Sequence, residues 1–162
     1  MRWVRHVPEP FVQAEPGPSA APPLAHCGKR HDIRESSVIY KGSCHCGAVV
    51  FEVEAPEAIE ADRCNCSICS KSGFLHLIVP ARNFTLLSGE DSLSTYTFNT
   101  GVARHTFCKV CGVKPFYTPR SNPDGVDVNV NCMDTQPKSI RILEFDGRNW
   151  EKNAHKVAHK SK

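Results

Sequence analysis

Close clusters of cysteine are the feature of this sequence that most restricts how it can fold. Nine cysteines occur in 162 residues, and seven of them form three short groups: Cys44 and Cys46; Cys64, Cys66 and Cys69; Cys108 and Cys111. An odd number of cysteines cannot pair completely within one chain, and the N-terminus lacks the apolar stretch of a secretory signal. Because a reducing compartment does not maintain disulfides, the clusters predict bound metal.

Two of the three clusters predict a structural zinc site. Cys44-x-Cys46 and Cys108-x-x-Cys111 are close pairs, and each pair is followed directly by a glycine. Such knuckles let two thiolates reach one zinc at about 2.3 Å, while backbone N–H groups approach the sulfurs. Together the two pairs supply four thiolates, which is the ligand set of a closed structural site. The spacing also allows the clusters to exchange partners.

The third cluster predicts a zinc site of another kind. Cys64, Cys66 and Cys69 supply three sulfurs, so a fourth position stays open for water or a substrate atom, as in catalytic zinc sites. A substrate thiolate suits such a sulfur-rich environment. A histidine could instead complete the ligand set and make the site purely structural. The histidines considered for this role are His76 first, and then His45 and His105.

Hydrophobic periodicity indicates an all-β domain. Apolar and acidic residues alternate over residues 49–54, which predicts a half-buried strand that ends at Pro56. Twelve prolines and ten glycines interrupt the chain often, and this favours short strands over long helices. Further strands are predicted at residues 74–79, 93–98, 104–107, 126–130 and 142–145.

Composition divides the chain into three predicted segments. Residues 1–37 are rich in proline and small residues and predict a disordered extension, residues 38–151 form the zinc-binding domain, and residues 152–162 form a basic, solvated tail. The absence of a long apolar run excludes a membrane-spanning helix and predicts an intracellular protein, cytoplasmic or nuclear. Arg2 and Arg5 leave a mitochondrial presequence as a minor alternative. Cys27 and Cys132 are predicted to be ordinary free thiols.

Three motifs carry a resemblance to a known family. They are GSCHCG at residues 42–47, CNCSIC at 64–69 and HTFCKVCG at 105–112. The chain resembles the glutathione-dependent formaldehyde-activating enzyme family, which includes centromere protein V. The segments TYTFNT at 95–100 and FYTPRSNP at 116–123 are most similar to the centromere protein V branch. The resemblance covers roughly residues 38–150.

This resemblance implies a compact all-β zinc fold and a carbon–sulfur lyase that joins glutathione and formaldehyde as S-(hydroxymethyl)glutathione. It implies two zinc ions per chain, a structural one on Cys44, Cys46, Cys108 and Cys111, and a catalytic one on Cys64, Cys66 and Cys69. The alternative is a non-enzymatic zinc interaction module, associated with chromosomes or microtubules as centromere protein V is. Weaker candidates for binding an anionic ligand are Arg104, His105, Arg120 and Asn131.

Overall fold

Residues 36–162 are described in a computed structural model of the chain. The predicted extension at residues 1–37 therefore lies outside the described residues except for its last two positions, and Cys27 lies outside them too. The strands are β1 (Ser37–Ser43), β2 (Val50–Pro56), β3 (Ala58–Cys64), β4 (Leu75–Pro80), β5 (Phe84–Ser88), β6 (Leu93–Tyr96), β7 (His105–Cys108), β8 (Phe116–Tyr117), β9 (Gly125–Asn129) and β10 (Ser139–Phe145). Two short α-helices are α1 (Ser67–Ser72) and α2 (Trp150–Asn153).

The strands form three sheets, which confirms the predicted all-β class. An antiparallel sheet has the order β1-β2-β5, and β6 pairs with β7 in a two-stranded sheet. The third sheet has the order β10-β3-β4-β9-β8, and in it β10 runs parallel to β3. Every strand predicted from periodicity occurs, with shifted ends, whereas β1, β3, β5 and β8 were not predicted. Within residues 36–162, no helix is both long and apolar enough to cross a membrane.

The main core lies between the β1-β2-β5 sheet and the five-stranded sheet. Val49, Phe51 and Val53 are fully buried, as the alternating pattern predicted. The Phe51 ring stacks on Phe84 at 5.6 Å between centroids and meets the edge of Phe116 at 5.8 Å. Each such side chain contributes roughly 1.5–3 kcal/mol through burial, so this cluster holds the two sheets together.

The C-terminal segment packs against the domain, in contrast to the solvated tail that its charge predicted. The Val157 side chain is buried, and the Asn122 amide donates hydrogen bonds to the Val157 carbonyl and to the Ser161 hydroxyl. The Lys160 ammonium lies 2.5 Å from the buried Asp62 carboxylate. Net basic charge was a poor guide here because Lys160 and Lys162 pair with acidic side chains of the domain, Asp62 and Asp124.

Candidate metal centres and the adjoining cavity

The first cysteine cluster has the geometry of a tetrahedral thiolate site. The sulfur atoms of Cys44, Cys46, Cys108 and Cys111 all lie within 4.8 Å of one another. The Cys46 sulfur is 3.6 Å from that of Cys44 and 3.7 Å from that of Cys108. Four sulfurs at 2.3 Å around one tetrahedral ion lie about 3.8 Å apart. The cluster therefore fits zinc, and it joins the two predicted pairs rather than their exchanged partners.

Tight turns with left-handed glycines bring each pair of this cluster together. Gly47 and Gly112 have φ angles of 74° and 77°, a conformation that glycine adopts at little cost. The N–H of Gly47 donates to the Cys44 carbonyl at 3.0 Å, and the N–H of Gly112 donates to the Cys108 carbonyl at 2.8 Å. The glycine after each predicted pair is thus required by the turn that shapes the knuckle.

Backbone N–H groups point at the sulfurs of this cluster. The N–H of Val49 donates to the Cys44 sulfur at 3.3 Å. A hydrogen bond from the N–H of Val113 lowers the pKa of Cys111 to about 6. Because these bonds stabilise the thiolate form, the backbone prepares the cluster to hold a cation.

The second cluster draws on three elements that meet at one end of the five-stranded sheet. Cys64 ends β3, Cys66 caps the N-terminus of α1, Cys69 lies in α1, and His76 lies on β4. The ligand atoms of Cys64, Cys69 and His76 lie within 4.8 Å of one another. Hydrogen bonds from the thiols of Cys64 and Cys69 lower the pKa of Cys66 strongly. The structure thus groups two of the three predicted cysteines, Cys64 and Cys69, with His76. Cys66 lies in hydrogen-bond contact with both thiols but outside this ligand group.

The surroundings of His76 are those of a metal ligand. Its Nδ1 is 2.7 Å from Oδ2 of Asp127, and both side chains are buried. Its Nε2 is buried without a hydrogen-bond partner among residues 36–162. A carboxylate that accepts from one imidazole nitrogen fixes the tautomer whose other nitrogen can bind a metal. An orphaned Nε2 beside two thiols is a donor set that fits a metal ion such as zinc.

Sequence reasoning missed two residues that contact the second cluster, Asp127 and Gly147. Asp127 belongs to the predicted strand of alternating valines, where a lone acidic residue between apolar ones signals a buried partner. Gly147 follows β10, whose parallel pairing with β3 sets Phe145 opposite Cys64. A Cβ on Gly147 would overlap the Cys64 sulfur and lie 3.0 Å from the Cys66 Cβ. No sequence signal indicated this close approach, because it depends on a long-range strand pairing.

A cavity of about 660 Å³ opens beside the second cluster. Cys64, Cys66, Cys69 and His76 line it, and none of the four cysteines of the first cluster does. The remaining wall combines aromatic rings and basic groups with three acidic side chains, Asp62, Asp127 and Glu151. Among these side chains are Phe98, Tyr117, Phe145, Trp150, Arg120, Arg148 and Lys152. The volume lies in the range typical of small-molecule sites.

The weaker sequence candidates separate into two groups. His105 and Arg120 line this cavity, and the Arg120 guanidinium lies 5.4 Å above the Trp150 ring. Arg104 instead exchanges backbone hydrogen bonds with Thr118, outside the strands and outside the cavity. The Asn131 amide donates to the Gly73 carbonyl at 2.9 Å, also outside the cavity.

Two further sequence candidates lie apart from the second cluster. His45 is exposed in the first knuckle and belongs to neither ligand group. Cys132 is buried in the main core, and burial raises the pKa of its thiol to about 11. It is therefore an inert thiol at neutral pH, as the sequence predicted for an isolated cysteine.

Known proteins are similar to this chain in sequence and in fold. The family model described as "Glutathione-dependent formaldehyde-activating enzyme" matches residues 39–145. A Halomonas elongata protein named "Putative glutathione-dependent formaldehyde-activating enzyme" is 51% identical over 125 residues, which cover 70% of this chain and 80% of that protein. A crystal structure of a Rhodobacter sphaeroides protein has a TM-score of 0.56 and 34% identity, covering 64% of this chain and 99% of that one. The chain belongs to the glutathione-dependent formaldehyde-activating enzyme family.

Proposed function

We propose that this chain is a zinc-dependent carbon–sulfur lyase that reversibly joins glutathione and formaldehyde as S-(hydroxymethyl)glutathione. The observation that carries the proposal is the cavity of about 660 Å³ lined by Cys64, Cys66 and Cys69. A cavity of this size is large enough for a tripeptide thiol, and the sulfur-rich wall suits its reactive group. The family and the Halomonas elongata relative, by its name, support the same substrates.

The proposed cofactor is two zinc ions per chain. The first would be held by the four clustered cysteines that join β1 and β2 to β7. The second would be held at Cys64, Cys66 and Cys69, with a fourth position that either His76 or the substrate thiol could take. Zinc, when bound, lowers the pKa of a thiol and so supplies a thiolate nucleophile at neutral pH. Cys66 is the least buried of these four ligands, so it marks the side from which a substrate thiol approaches.

The basic side chains of the cavity give the chain a means of binding an acidic tripeptide. Arg120, Arg148 and Lys152 line the wall, and glutathione carries a carboxylate at each end. Guanidinium groups bind carboxylates through paired, charge-assisted hydrogen bonds. The Arg120 guanidinium also pairs with the exposed Glu151 carboxylate, which a substrate carboxylate can replace. These groups would hold the thiol beside the aldehyde and make the addition a local reaction.

The location follows from the same chemistry. All eight cysteines among residues 36–162 are free thiols. A reducing compartment keeps thiols in this state, and it is also where glutathione is abundant as the thiol. We therefore include an intracellular location, cytoplasmic or nuclear, in the proposal.

A second candidate function is a non-enzymatic interaction module of the centromere protein V type. One observation favours it: His76 can complete the second ligand set without a substrate, and a closed four-ligand zinc is usually structural. The segments at residues 95–100 and 116–123, which resemble the centromere protein V branch, point the same way. Chromosomes or microtubules would then be the partners.

Magnetisation-exchange NMR with ¹³C-formaldehyde and glutathione distinguishes the two functions. The zinc-loaded protein should accelerate the exchange between free formaldehyde and S-(hydroxymethyl)glutathione above the spontaneous rate. Cys66→Ser should abolish the excess while the first site keeps its metal. No excess with both metals bound would contradict the lyase and favour the interaction module.

A matched cysteine variant controls for the loss of a thiol as such. Cys132→Ala removes a buried cysteine that belongs to neither ligand group and does not line the cavity. This variant should keep both metals and the full exchange rate. If Cys132→Ala and Cys66→Ser lost the excess equally, the effect would come from general destabilisation, and the catalytic role of the cavity would be wrong.

A further inference from the structure

His105 holds a position in the cavity wall that the metal ligand groups do not explain. It begins β7, lines the cavity and is 6% exposed. Its ring is stacked between two aromatic rings, with Phe98 at 5.3 Å and Tyr117 at 4.9 Å between centroids. The interplanar angles are 22° and 18°, so the two rings fix the plane of the imidazole. Only its edge is left to interact with other groups.

A half-buried lysine, Lys114, determines which edge of His105 carries the proton. The Nζ atom of Lys114 lies 2.8 Å from Nδ1 of His105. The same ammonium lies over the Tyr117 ring at 3.8 Å and over the Phe74 ring at 4.8 Å, so the ring faces stabilise its charge. An ammonium group has three donors and no acceptor, so Nδ1 must accept the hydrogen bond. The proton of the neutral imidazole is therefore on Nε2.

The neutral form of His105 is the one present at neutral pH. Burial and the positive charge of Lys114 lower the pKa of His105 to about 4. Among residues 36–162 no group accepts a hydrogen bond from Nε2, and this nitrogen is not one of the fully buried unpaired atoms. Since the side chain lines the cavity, its free N–H faces the cavity. A rigid donor with no protein partner is available to a ligand.

We propose that His105, fixed as the Nε2–H tautomer by Lys114, donates a hydrogen bond to the aldehyde oxygen. This proposal rests on the proposed function. The thiolate sulfur attacks the carbonyl carbon, a C–S bond forms, and the π electrons of the C=O bond move to oxygen. The oxygen then takes one proton from solvent, which replaces the proton that the thiol released. His105 keeps its own proton, so thiol and aldehyde give the hydroxymethyl thioether with atoms and charge balanced.

The donor matters because negative charge develops on the oxygen during the addition. Removal of a preorganised donor aimed at such an oxygen typically lowers the rate by about 10²–10³-fold. Lys114 acts as a positioning residue, because it touches the imidazole and not the substrate. The arrangement also makes a prediction that is independent of turnover, since the tautomer can be observed directly.

Nitrogen NMR of the histidine-labelled, zinc-loaded protein tests the tautomer. Long-range ¹H–¹⁵N correlation at neutral pH should show a protonated Nε2 and an unprotonated Nδ1 for His105. The His105 signals are assigned by their disappearance from the spectrum of His105→Gln. In Lys114→Met the Nδ1 atom loses its donor, so the spectrum should show a mixture of tautomers. A protonated Nδ1 in the unsubstituted protein would overturn the proposal.

Exchange kinetics test the contact with the substrate. His105→Phe keeps the stacking and removes the donor, so the exchange rate should fall by about 10²-fold with both metals retained. His105→Gln can present an amide N–H near the position of Nε2 and should lose less activity. His155→Gln, an exposed histidine outside the cavity, is the control and should not change the rate.

The outcomes separate this proposal from the proposed function. Full exchange activity in a folded, metal-loaded His105→Phe protein would overturn the role of His105 and leave the lyase intact. Absence of exchange in the unsubstituted protein would overturn both. If His105→Phe does not fold, two observations on the other variants would together contradict the donor role. They are that Lys114→Met retains the Nε2–H tautomer and that it loses as much activity as His105→Gln.

Discussion

The two cysteine clusters differ in how they are built and in what they adjoin. The first consists of four thiols on two glycine turns, packs against the main core and does not line the cavity. The second combines thiols from a strand end and a short helix with His76 from a third element, and it lines the cavity. The first arrangement resembles a staple between distant segments, whereas the second resembles a site that a ligand can reach.

The number of protein ligands alone does not distinguish a structural metal site from a functional one. His76 can raise the second site to four protein ligands, which by count would make it as closed as the first. Two features set it apart: the Asp127 carboxylate orients the His76 imidazole, and the adjoining cavity gives a ligand access to the site.

The largest expected effect follows from Cys108→Ser in the first cluster. Cys108 is fully buried, and loss of one thiolate from a structural zinc site removes a large part of a contribution on the order of 10 kcal/mol. Because typical domains are stable by only about 5–15 kcal/mol, the variant should be largely unfolded. Circular dichroism and metal analysis measure this. A folded variant that still binds two zinc ions would contradict the structural assignment.

A smaller effect is expected from Asp127→Asn beside the second cluster. Loss of the carboxylate that orients a metal-binding histidine typically weakens metal affinity by about 10–100-fold. Competition with a zinc chelator should show this loss for one of two ions, with the fold and the other ion unchanged. The exposed Asp134→Asn is the control and should bind both ions normally. Equal affinities in both variants would show that His76 is not a ligand.

Gly147→Ala tests the same site by packing. The added methyl group would overlap the Cys64 sulfur, and overpacking of this kind costs roughly 1–3 kcal/mol. The variant should lose affinity for the second ion and keep the first, as measured by isothermal titration of the metal-free protein. Gly101→Ala controls for the extra methyl group, because a Cβ at Gly101 would meet no other atom within 4 Å. The positive φ of Gly101 adds a small backbone strain to this control. Loss of the first ion instead would contradict the separation of the two sites.

The mildest expected effect requires no substitution. A small coordinating dye added to the zinc-loaded protein should release the metal in two phases. The faster phase should come from the site beside the cavity, because fewer thiolates hold that ion and the dye can enter the cavity. Exposure alone would favour the first site, whose Cys46 is exposed. The fold should survive the first phase and fail only in the second. A single phase that coincides with unfolding would show that the two sites are equally structural.

Local sequence determined the strands with a clear period and the knuckles. The alternating residues 49–54 and the glycines after each pair depend on neighbours in sequence, and these predictions hold in the structure. The strands β3 and β5 were missed because their burial is irregular and they gain their pairing from β10, β4 and β2. The packing of residues 152–162 was missed because Asn122 and Asp62, which contact it, are far away in sequence.

From the sequence alone we could predict clustered thiols that could bind metal and an all-β fold, because cysteine spacing and side-chain alternation are local properties. Only the tertiary structure decided which pairs share a site, that His76 joins the second group, and that Asp127 and His105 adjoin it. These relations depend on strand register across the five-stranded sheet and on the meeting of β7 with β8. Register is fixed by packing over the whole domain, and no short stretch of sequence encodes it.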